Sequence, residues 1–173
     1  MSCFGRRQNG NRVGNAEVNP IQVNTTYQIW SPVSRSNAGL LERVSNTDRV
    51  ACSGSFNTGE NIYWTTSDKT TINCLKCFAF VFNHAGEQYA LKGNKERRTI
   101  TTEVKENIHD ESDIFKVISI EGGIFSMIKL HGSELYLACD QDGNVTLVED
   151  KYPENPSPQI LFSFGKVGVV SDN

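Results

Sequence analysis

The chain has 173 residues, of which 38% are hydrophobic and 21% charged, and its formal net charge is −3. This length fits one globular domain, and the composition gives that domain enough apolar residues for a single core. The acidic balance argues against non-specific binding to nucleic acid or to an anionic membrane, and no run approaches the roughly 18 apolar residues of a membrane span.

The two ends of the chain have a different composition from its middle. Residues 1–24 are rich in Asn, Gly and Arg, show no periodicity, and predict a flexible N-terminal arm. The arm has no apolar stretch of the kind a secretory signal needs, so we expect the protein to begin in the cytosol. We predict one folded domain over residues 25–167 and a tail over 168–173.

Short runs rich in Val, Ile, Phe, Tyr and Thr follow one another from Tyr27 onward, with polar turn clusters between them. Such spacing predicts an all-β barrel or sandwich. The predicted strands are 27–30, 40–44, 49–53, 61–65, 77–83, 87–92, 98–104, 114–120, 124–130, 134–139, 145–149 and 159–164.

An internal repeat narrows this choice. Residues 78–103 align without a gap on residues 125–150, a shift of 125 − 78 = 47, and five identities result, among them His84 on His131 and Tyr89 on Tyr136. A weaker copy begins at Tyr27. Three related β units in one chain predict a β-trefoil, a pseudo-threefold closed barrel of about twelve strands capped by hairpins, whereas a propeller would need at least four blades.

Strand alternation predicts which side chains fill the core. Where two neighbours are both included, only one of them can be the deeper residue. The predicted core is Leu41, Val50, Phe78, Phe80, Leu91, Ile100, Val117, Ile118, Phe125, Ile128, Leu137, Leu147, Leu161, Phe162 and Phe164.

The five cysteines are an odd set in a domain that does not need disulfides, so we expect free thiols. Cys74 and Cys77 have the spacing of half a zinc site or of a redox pair. A zinc site needs two further ligands, and the sequence predicts no adjoining pair from His84, His109 or His131. We therefore expect ordinary thiols, and predict neither a metal nor a cofactor.

Two other constellations have simple structural interpretations. Asp140, Asp142 and Asn144 have the odd spacing of a calcium loop but lack its later Gly and Glu, so we predict a hairpin turn. His84 and His131 share one repeat position and are predicted to be a repeated structural device. No nucleophile elbow, metalloprotease motif or phosphate loop is present in the sequence, so we do not expect an enzyme.

Basic residues cluster around one predicted turn and suggest an anion site for sulfated glycans or phosphates. They are Lys92, Lys95, Arg97 and Arg98, with Lys105 close by. Glu96 and Glu103 interrupt the cluster, and a solvated hairpin has the same appearance. The sequence leaves both interpretations open.

Several stretches resemble the interleukin-1 family of cytokines. The resemblance is carried by Phe125-Ser126, by Leu135 to Cys139 (LYLAC) with its acidic turn, and by Gln159 to Phe164 (QILFSF). Asn107 to Phe115 and the run LACDQDG are similar to interleukin-18 in particular, and Tyr27 to Trp30 is similar to the first strand of the interleukin-36 and interleukin-37 branch. The likeness covers roughly residues 27–166.

This resemblance implies a β-trefoil cytokine that leaves the cell by an unconventional route, is a monomer before engagement, and binds immunoglobulin-domain receptors in immune and inflammatory signalling. From exposure expected in loops, we predict receptor contacts at Tyr27, Arg35, Lys92, Asn94, Lys95, Arg97, Asp140, Asp142 and Lys151. Two alternatives stay open: a glycan-binding or heparin-binding trefoil, and a protease inhibitor acting through the loop SGSFNTGEN.

Overall fold

The computed structural model describes residues 21–57, 59–68, 74–108, 110–120, 122–151 and 154–169. Within them are twelve β-strands and three short 3₁₀ helices, at Gly59–Ile62, Glu111–Asp113 and Pro158–Ile160. None of the helices in this part of the chain is long or apolar enough to span a membrane. The strands are β1 (Thr25–Trp30), β2 (Leu40–Arg43), β3 (Val50–Gly54), β4 (Trp64–Ser67), β5 (Cys77–His84), β6 (Glu87–Asn94), β7 (Thr99–Val104), β8 (Phe115–Ser119), β9 (Ser126–Leu130), β10 (Leu135–Cys139), β11 (Val145–Glu149) and β12 (Ser163–Val169).

Six strands form a closed barrel. Antiparallel pairing runs from β12 to β1, then to β4, β5, β8 and β9. The circle closes at the bridge between Ser126 and Phe162, whose backbone groups exchange hydrogen bonds of 2.8 and 2.9 Å. Closure leaves the barrel without a free edge, which is how all-β folds avoid unpaired backbone groups.

The other six strands form three hairpins that cap one end of the barrel. They are β2–β3, β6–β7 and β10–β11. Each hairpin touches the other two, through Arg49 with Thr101, Ala51 with Asn144, and Thr146 with Thr99. Four strands in the same order occur three times, so the predicted β-trefoil is confirmed.

One central core fills the barrel and the cap. It contains aromatic and aliphatic side chains from all three units, including Leu41, Phe80, Leu91, Leu137 and Phe162, each fully enclosed. Of the predicted core, Val117 and Phe162 are the deeper members of their adjacent pairs. Ile118 and Leu161 instead pack on a smaller outer cluster. Phe125 is only half-buried, which corrects its place in the predicted core.

Two predicted strands begin at least three residues too early. The range 61–65 overlaps the first 3₁₀ helix, and β4 starts only at Trp64. The range 159–164 overlaps the third 3₁₀ helix, and β12 runs from Ser163 to Val169. In both places a single apolar side chain of the 3₁₀ helix, Ile62 or Ile160, is fully buried, and an apolar residue before a strand extends the strand-like pattern.

The predicted domain limits also shift. Residues 1–20 of the predicted arm, and residues 170–173 of the predicted tail, lie outside the described residues. Residues 21–24 are held on the barrel, since the Gln22 N–H donates to the Tyr27 hydroxyl at 2.9 Å and the Asn24 N–H to the Thr66 carbonyl at 2.8 Å. At the other end Val169 pairs with Thr25, so the domain extends beyond residue 167.

Candidate functional site

A surface cavity of about 370 Å³ lies beside the second hairpin of the cap. Its walls are the end of β6 and the following turn (residues 92–96), the 3₁₀ segment before β8 (residues 110–112), and Leu130 with His131 after β9. Gly93 leaves room for this arrangement, because a Cβ at that position would lie 2.8 Å from the Leu130 side chain. Three predicted contact residues, Lys92, Asn94 and Lys95, therefore meet at one cavity.

The turn beside the cavity is organised by Asn94. Its side-chain oxygen accepts hydrogen bonds from the Glu96 N–H at 3.1 Å and from the Arg97 N–H at 2.9 Å. An Asn that bonds to the backbone two and three residues ahead stabilises a turn. Asn94 thus shapes the loop that presents Lys95 and Arg97, both exposed.

The basic cluster is largely neutralised by acidic neighbours. Lys92 donates to Glu103 at 2.7 Å, and this hydrogen bond, although opposed by burial, lowers the pKa of Glu103. Arg98 contacts Glu149 at 3.3 Å. Among the described residues, Lys95 and Arg97 have no carboxylate partner. These paired charges favour a solvated hairpin over a strong anion site.

Lys105 anchors the 3₁₀ segment that forms one wall of the cavity. Its ammonium lies 3.4 Å from Asp110 and forms a short ion pair with Asp113, whose side chain is fully buried. Burial, together with the nearby charge of Asp110, raises the pKa of Asp113, although the hydrogen bond and charge of Lys105 oppose the shift. Burial also acts to lower the pKa of Lys105, but the hydrogen bond with Asp113 and the nearby acidic charges outweigh it and raise that pKa.

A second group of predicted contacts lies around the β10–β11 turn. The Arg35 N–H donates to the Gln141 carbonyl at 2.9 Å, which places exposed Arg35 beside exposed Asp140 and Asp142. Asp140 accepts from the backbone N–H groups of Asp142 and Asn144, each at 2.9 Å. Burial opposes the shift, but the hydrogen bonds from Asn144, Asp142 and Gly143 lower the pKa of Asp140. The predicted hairpin turn is confirmed here.

The remaining predicted contacts divide into one exposed residue and one buried residue. Lys151 is exposed but belongs to neither group. Tyr27 is only 2% exposed and packs edge-on against Phe164 with 5.6 Å between ring centroids. The expectation that Tyr27 lies in an exposed loop is wrong, because β1 begins before it and turns its ring into the barrel.

The sequence patterns did not predict a surface pair of aromatic residues, Trp30 and Phe125. Trp30 is 40% exposed and stacks on half-buried Phe125, with ring centroids 6.5 Å apart and planes 24° apart. Ile124, next in the chain, is 68% exposed. We call Trp30, Ile124 and Phe125 the Trp30 patch. Alternation along β1 could have found it, because Tyr27 and Ile29 face inward and so place Trp30 outside.

Two cysteines and a histidine also meet on the barrel surface. Cys74 and Cys77 form a disulfide, which corrects the expectation that they are free, whereas Cys52 and Cys139 are free and buried. The hydrogen bond with Cys139 and burial raise the pKa of the Cys52 thiol. His131, which the sequence did not place near the cysteines, lies close to Cys74 and Cys77.

Known proteins resemble this chain in structure but not in sequence. No protein-family model matches the sequence, and no curated protein matches it. Solved structures do resemble it. The BEL beta-trefoil in an apo crystal form has a TM-score of 0.65 and 13% identity, over 86% of this chain and 97% of that one. The designed threefold-symmetric protein ThreeFoil has a TM-score of 0.58 and 14% identity, over 80% and 96%.

A third similar structure is larger than this chain. The Polyporus squamosus lectin, solved with a human-type influenza-binding epitope, has a TM-score of 0.62 and 13% identity, over 84% of this chain and 50% of that one. At such low identity these likenesses establish the β-trefoil fold and nothing finer.

Proposed function

We propose that this protein is an interleukin-1-family-like cytokine that binds an immunoglobulin-domain receptor and performs no catalysis. The proposal rests on the sequence resemblance in the C-terminal half and on a fold that suits it. The observation that carries it is the Trp30 patch, in which the exposed Trp30 ring stacks on half-buried Phe125. In this proposal the protein acts outside the cell after unconventional export.

The Trp30 patch has the properties of a protein-binding centre. Trp30 and Ile124 expose 40% and 68% of their surface, and Phe125 holds the Trp30 ring from one side at 6.5 Å. Contiguous exposed apolar side chains mark interaction surfaces, and Trp is enriched among the residues that dominate binding energy. A ring already held by a neighbour loses little conformational entropy on binding.

Charged loops supply the polar rim of the proposed interface. The loop that starts after Trp30 carries Arg35, which lies beside Asp140 and Asp142. A rim of mixed sign sets orientation more than affinity. The net charge of −3 favours a receptor face that is basic, with electrostatic steering acting mainly on the association rate.

The direct test is binding of the full chain to a panel of interleukin-1 receptor family ectodomains by surface plasmon resonance. Trp30→Ala is expected to weaken binding about 30-fold, the equivalent of about 2 kcal/mol for a central anchor. Phe56→Ala is the matched control, since Phe56 is an aromatic residue that is 70% exposed and is not one of the Trp30 patch residues. Absence of binding to every ectodomain, or equal affinities for both variants, would contradict the proposal.

Glycan binding at the cavity is the second candidate. The cavity is lined by hydrogen-bonding groups, and one of the similar structures is a lectin solved with a sugar epitope. Among the described residues of its lining, the His131 imidazole is the one aromatic ring, so the stacking platform that they offer a sugar is small. A glycan array separates the two functions. Sugar binding that is lost in Asn94→Ala and Lys95→Ala but kept in Trp30→Ala would favour this candidate.

A further inference from the structure

The barrel brings three soft and borderline metal ligands together from distant parts of the chain. Cys74 precedes β5, Cys77 is its first residue, and His131 follows β9. The strand order β5–β8–β9 places Phe78 opposite Phe115 and Phe115 opposite Leu130. The His131 N–H then donates to the Ile114 carbonyl at 2.9 Å, which fixes the histidine backbone on the same sheet.

The ligand atoms are close enough for one ion. The two cysteine sulfurs and an imidazole nitrogen of His131 all lie within 4.8 Å of one another. Zn–S bonds of about 2.3 Å and Zn–N bonds of about 2.0 Å in a tetrahedron separate ligand atoms by roughly 3.5 to 3.8 Å. Small side-chain rotations therefore suffice. Among the described residues, this is the one group of three such side chains with that geometry.

The three side chains lie in surroundings that suit a metal site, with an apolar shell on one side and a carboxylate beside the histidine. Cys77 is only 5% exposed and belongs to an apolar cluster with Ala79, Ile108 and Ile114, against which Cys74 packs. Such a shell limits water access. The Oε1 atom of Glu111 lies 3.9 Å from Nε2 of His131, where a carboxylate can hold the imidazole in place.

We propose that the reduced protein binds one zinc ion through Cys74, Cys77 and His131. Glu111 acts as a positioning residue for His131, and the fourth ligand is water. Two thiolates and an imidazole form a donor set that selects zinc over calcium or magnesium. Zinc replaces the two thiol protons and no electron is transferred. The disulfide form lacks both thiolates, so it and the zinc form exclude each other.

The repeat supplies a matched control histidine. His84 ends β5 in the second unit much as His131 follows β9 in the third, and its Nδ1 atom lies 3.5 Å from Oε2 of Glu60. Like His131, His84 lies near a glutamate carboxylate, but among the described residues it has no pair of cysteines beside it. If both histidines serve only to hold their turns, substituting either one should have the same effect on zinc affinity. If His131 is a zinc ligand, only its substitution should lower that affinity.

The test uses the full chain, reduced with a phosphine and desalted without oxygen. Titration with Co²⁺ is expected to give one ion per chain, a thiolate-to-cobalt charge-transfer band and strong visible bands of a tetrahedral site, all displaced by Zn²⁺. Zinc affinity follows from competition with a chromophoric chelator. Reduced wild type without a thiolate band, or equal zinc binding by the disulfide form, would overturn the proposal.

Variants assign the ligands. His131→Gln is expected to weaken zinc binding more than 10-fold, and His84→Gln to leave it unchanged. Glu111→Gln should cost about 10-fold while the charge-transfer band remains, as for an outer carboxylate. Each cysteine is also replaced by serine, and both variants are expected to lose the thiolate band of the two-sulfur site. Cys74 is only half-buried, so Cys74→Ser remains a usable test if Cys77→Ser, at a buried position, does not fold. A thiolate band that survives in Cys74→Ser/Cys77→Ser, or equal affinities in the two histidine variants, would overturn the assignment.

Discussion

Gly143 is the residue at which two hairpins of the cap meet. Its φ angle is +86°, in the left-handed region that other residues rarely adopt. Its carbonyl accepts a 2.8 Å hydrogen bond from the Cys52 N–H, and a Cβ on Gly143 would lie 2.8 Å from the Cys52 carbonyl oxygen. Both the conformation and the space at this position therefore require glycine.

Gly143→Ala is expected to destabilise the protein more than Gly86→Ala. Gly86 has a similar φ of +80° but nothing within 4 Å of the position of an added Cβ, so its variant suffers only the left-handed strain of about 1–2 kcal/mol. Gly143→Ala adds a backbone collision worth roughly 1–3 kcal/mol more. Equilibrium urea unfolding measures both variants, and equal losses would show that the cap adjusts freely at Cys52.

Asp140 makes the stability of the same turn depend on pH. Because hydrogen bonds to its carboxylate lower its pKa in the folded protein, its contribution is present above the unfolded value near 3.8 and is lost as pH falls through the folded value. Asp140→Asn is expected to cost about 1 kcal/mol at pH 7, the usual size for such hydrogen bonds. The difference from wild type should shrink below pH 3.8.

Thermal unfolding at several pH values checks this prediction, with Asp142→Asn as the control. Asp142 is exposed and contributes its backbone N–H to Asp140, a donor that the Asn variant keeps. A difference between Asp140→Asn and wild type that persists at low pH would mean that the turn depends on side-chain shape and not on the carboxylate charge.

At the scale of elements, one partly buried ion pair attaches the second 3₁₀ helix to the end of β7. Lys105 follows β7, and its ammonium contacts Asp113, which is fully buried; the Oδ1 atom of Asp113 has no hydrogen-bond partner among the described residues. Loss of the lysine would leave a buried carboxylate without its cation. Breaking such a pair on one side costs more than replacing both partners.

Lys105→Met is accordingly expected to destabilise the protein by about 3–5 kcal/mol, and Lys105→Met/Asp113→Leu by much less. Lys129→Met is the surface control, because its partner Glu134 is 84% exposed and such pairs contribute about 0–1 kcal/mol. Urea unfolding of the three variants gives the comparison. A double variant as unstable as Lys105→Met would show that the loss of stability does not come from an unpaired carboxylate at Asp113.

Strand alternation predicted most of the inward-facing residues correctly, but the gapless repeat alignment does not keep inward positions of the two units in register. The gapless alignment places Tyr89 on Tyr136, yet Tyr89 lies in the central core and Tyr136 in the outer cluster. The inward partners are Phe80 and Ile128, 128 − 80 = 48 residues apart, and Leu91 and Leu137, 137 − 91 = 46 apart. The stretch between these inward positions is therefore two residues shorter from β9 to β10 than from β5 to β6. A shift of one residue in the alignment exchanges the two faces of a strand.

The candidate sites differ in how far the sequence could predict them. Trp30 could be placed outside from the inward positions of β1. His131 could not be placed beside Cys74, because the two are 131 − 74 = 57 residues apart and meet only through pairing of three strands. The Arg35 contact with Gln141 is likewise non-local. Residue type and spacing predicted local turns, whereas the sites depend on how the barrel closes.

At the scale of the whole molecule, aromatic rings join the three units across the barrel axis. Tyr27 of β1 contacts Phe164 of β12 at 5.6 Å, Phe164 contacts Phe80 of β5 at 6.2 Å, and Phe80 contacts Phe115 of β8 at 6.0 Å. These rings belong to the first, third and second units in turn. Since the barrel closes only when all three are in place, the units should unfold together.

Phe80→Ala tests that cooperativity. Removing a fully buried ring should cost about 3–5 kcal/mol, because the cavity cannot collapse between three neighbouring strands. In a Trp30→Phe background the remaining tryptophan is Trp64, buried in the first unit, where its Nε1–H donates to the Leu41 carbonyl at 3.0 Å. Fluorescence of Trp64 and far-ultraviolet circular dichroism should then report the same lowered urea midpoint, although the substitution lies in the second unit. Separate midpoints would mean that a unit can unfold while the others remain folded, which a closed barrel does not permit.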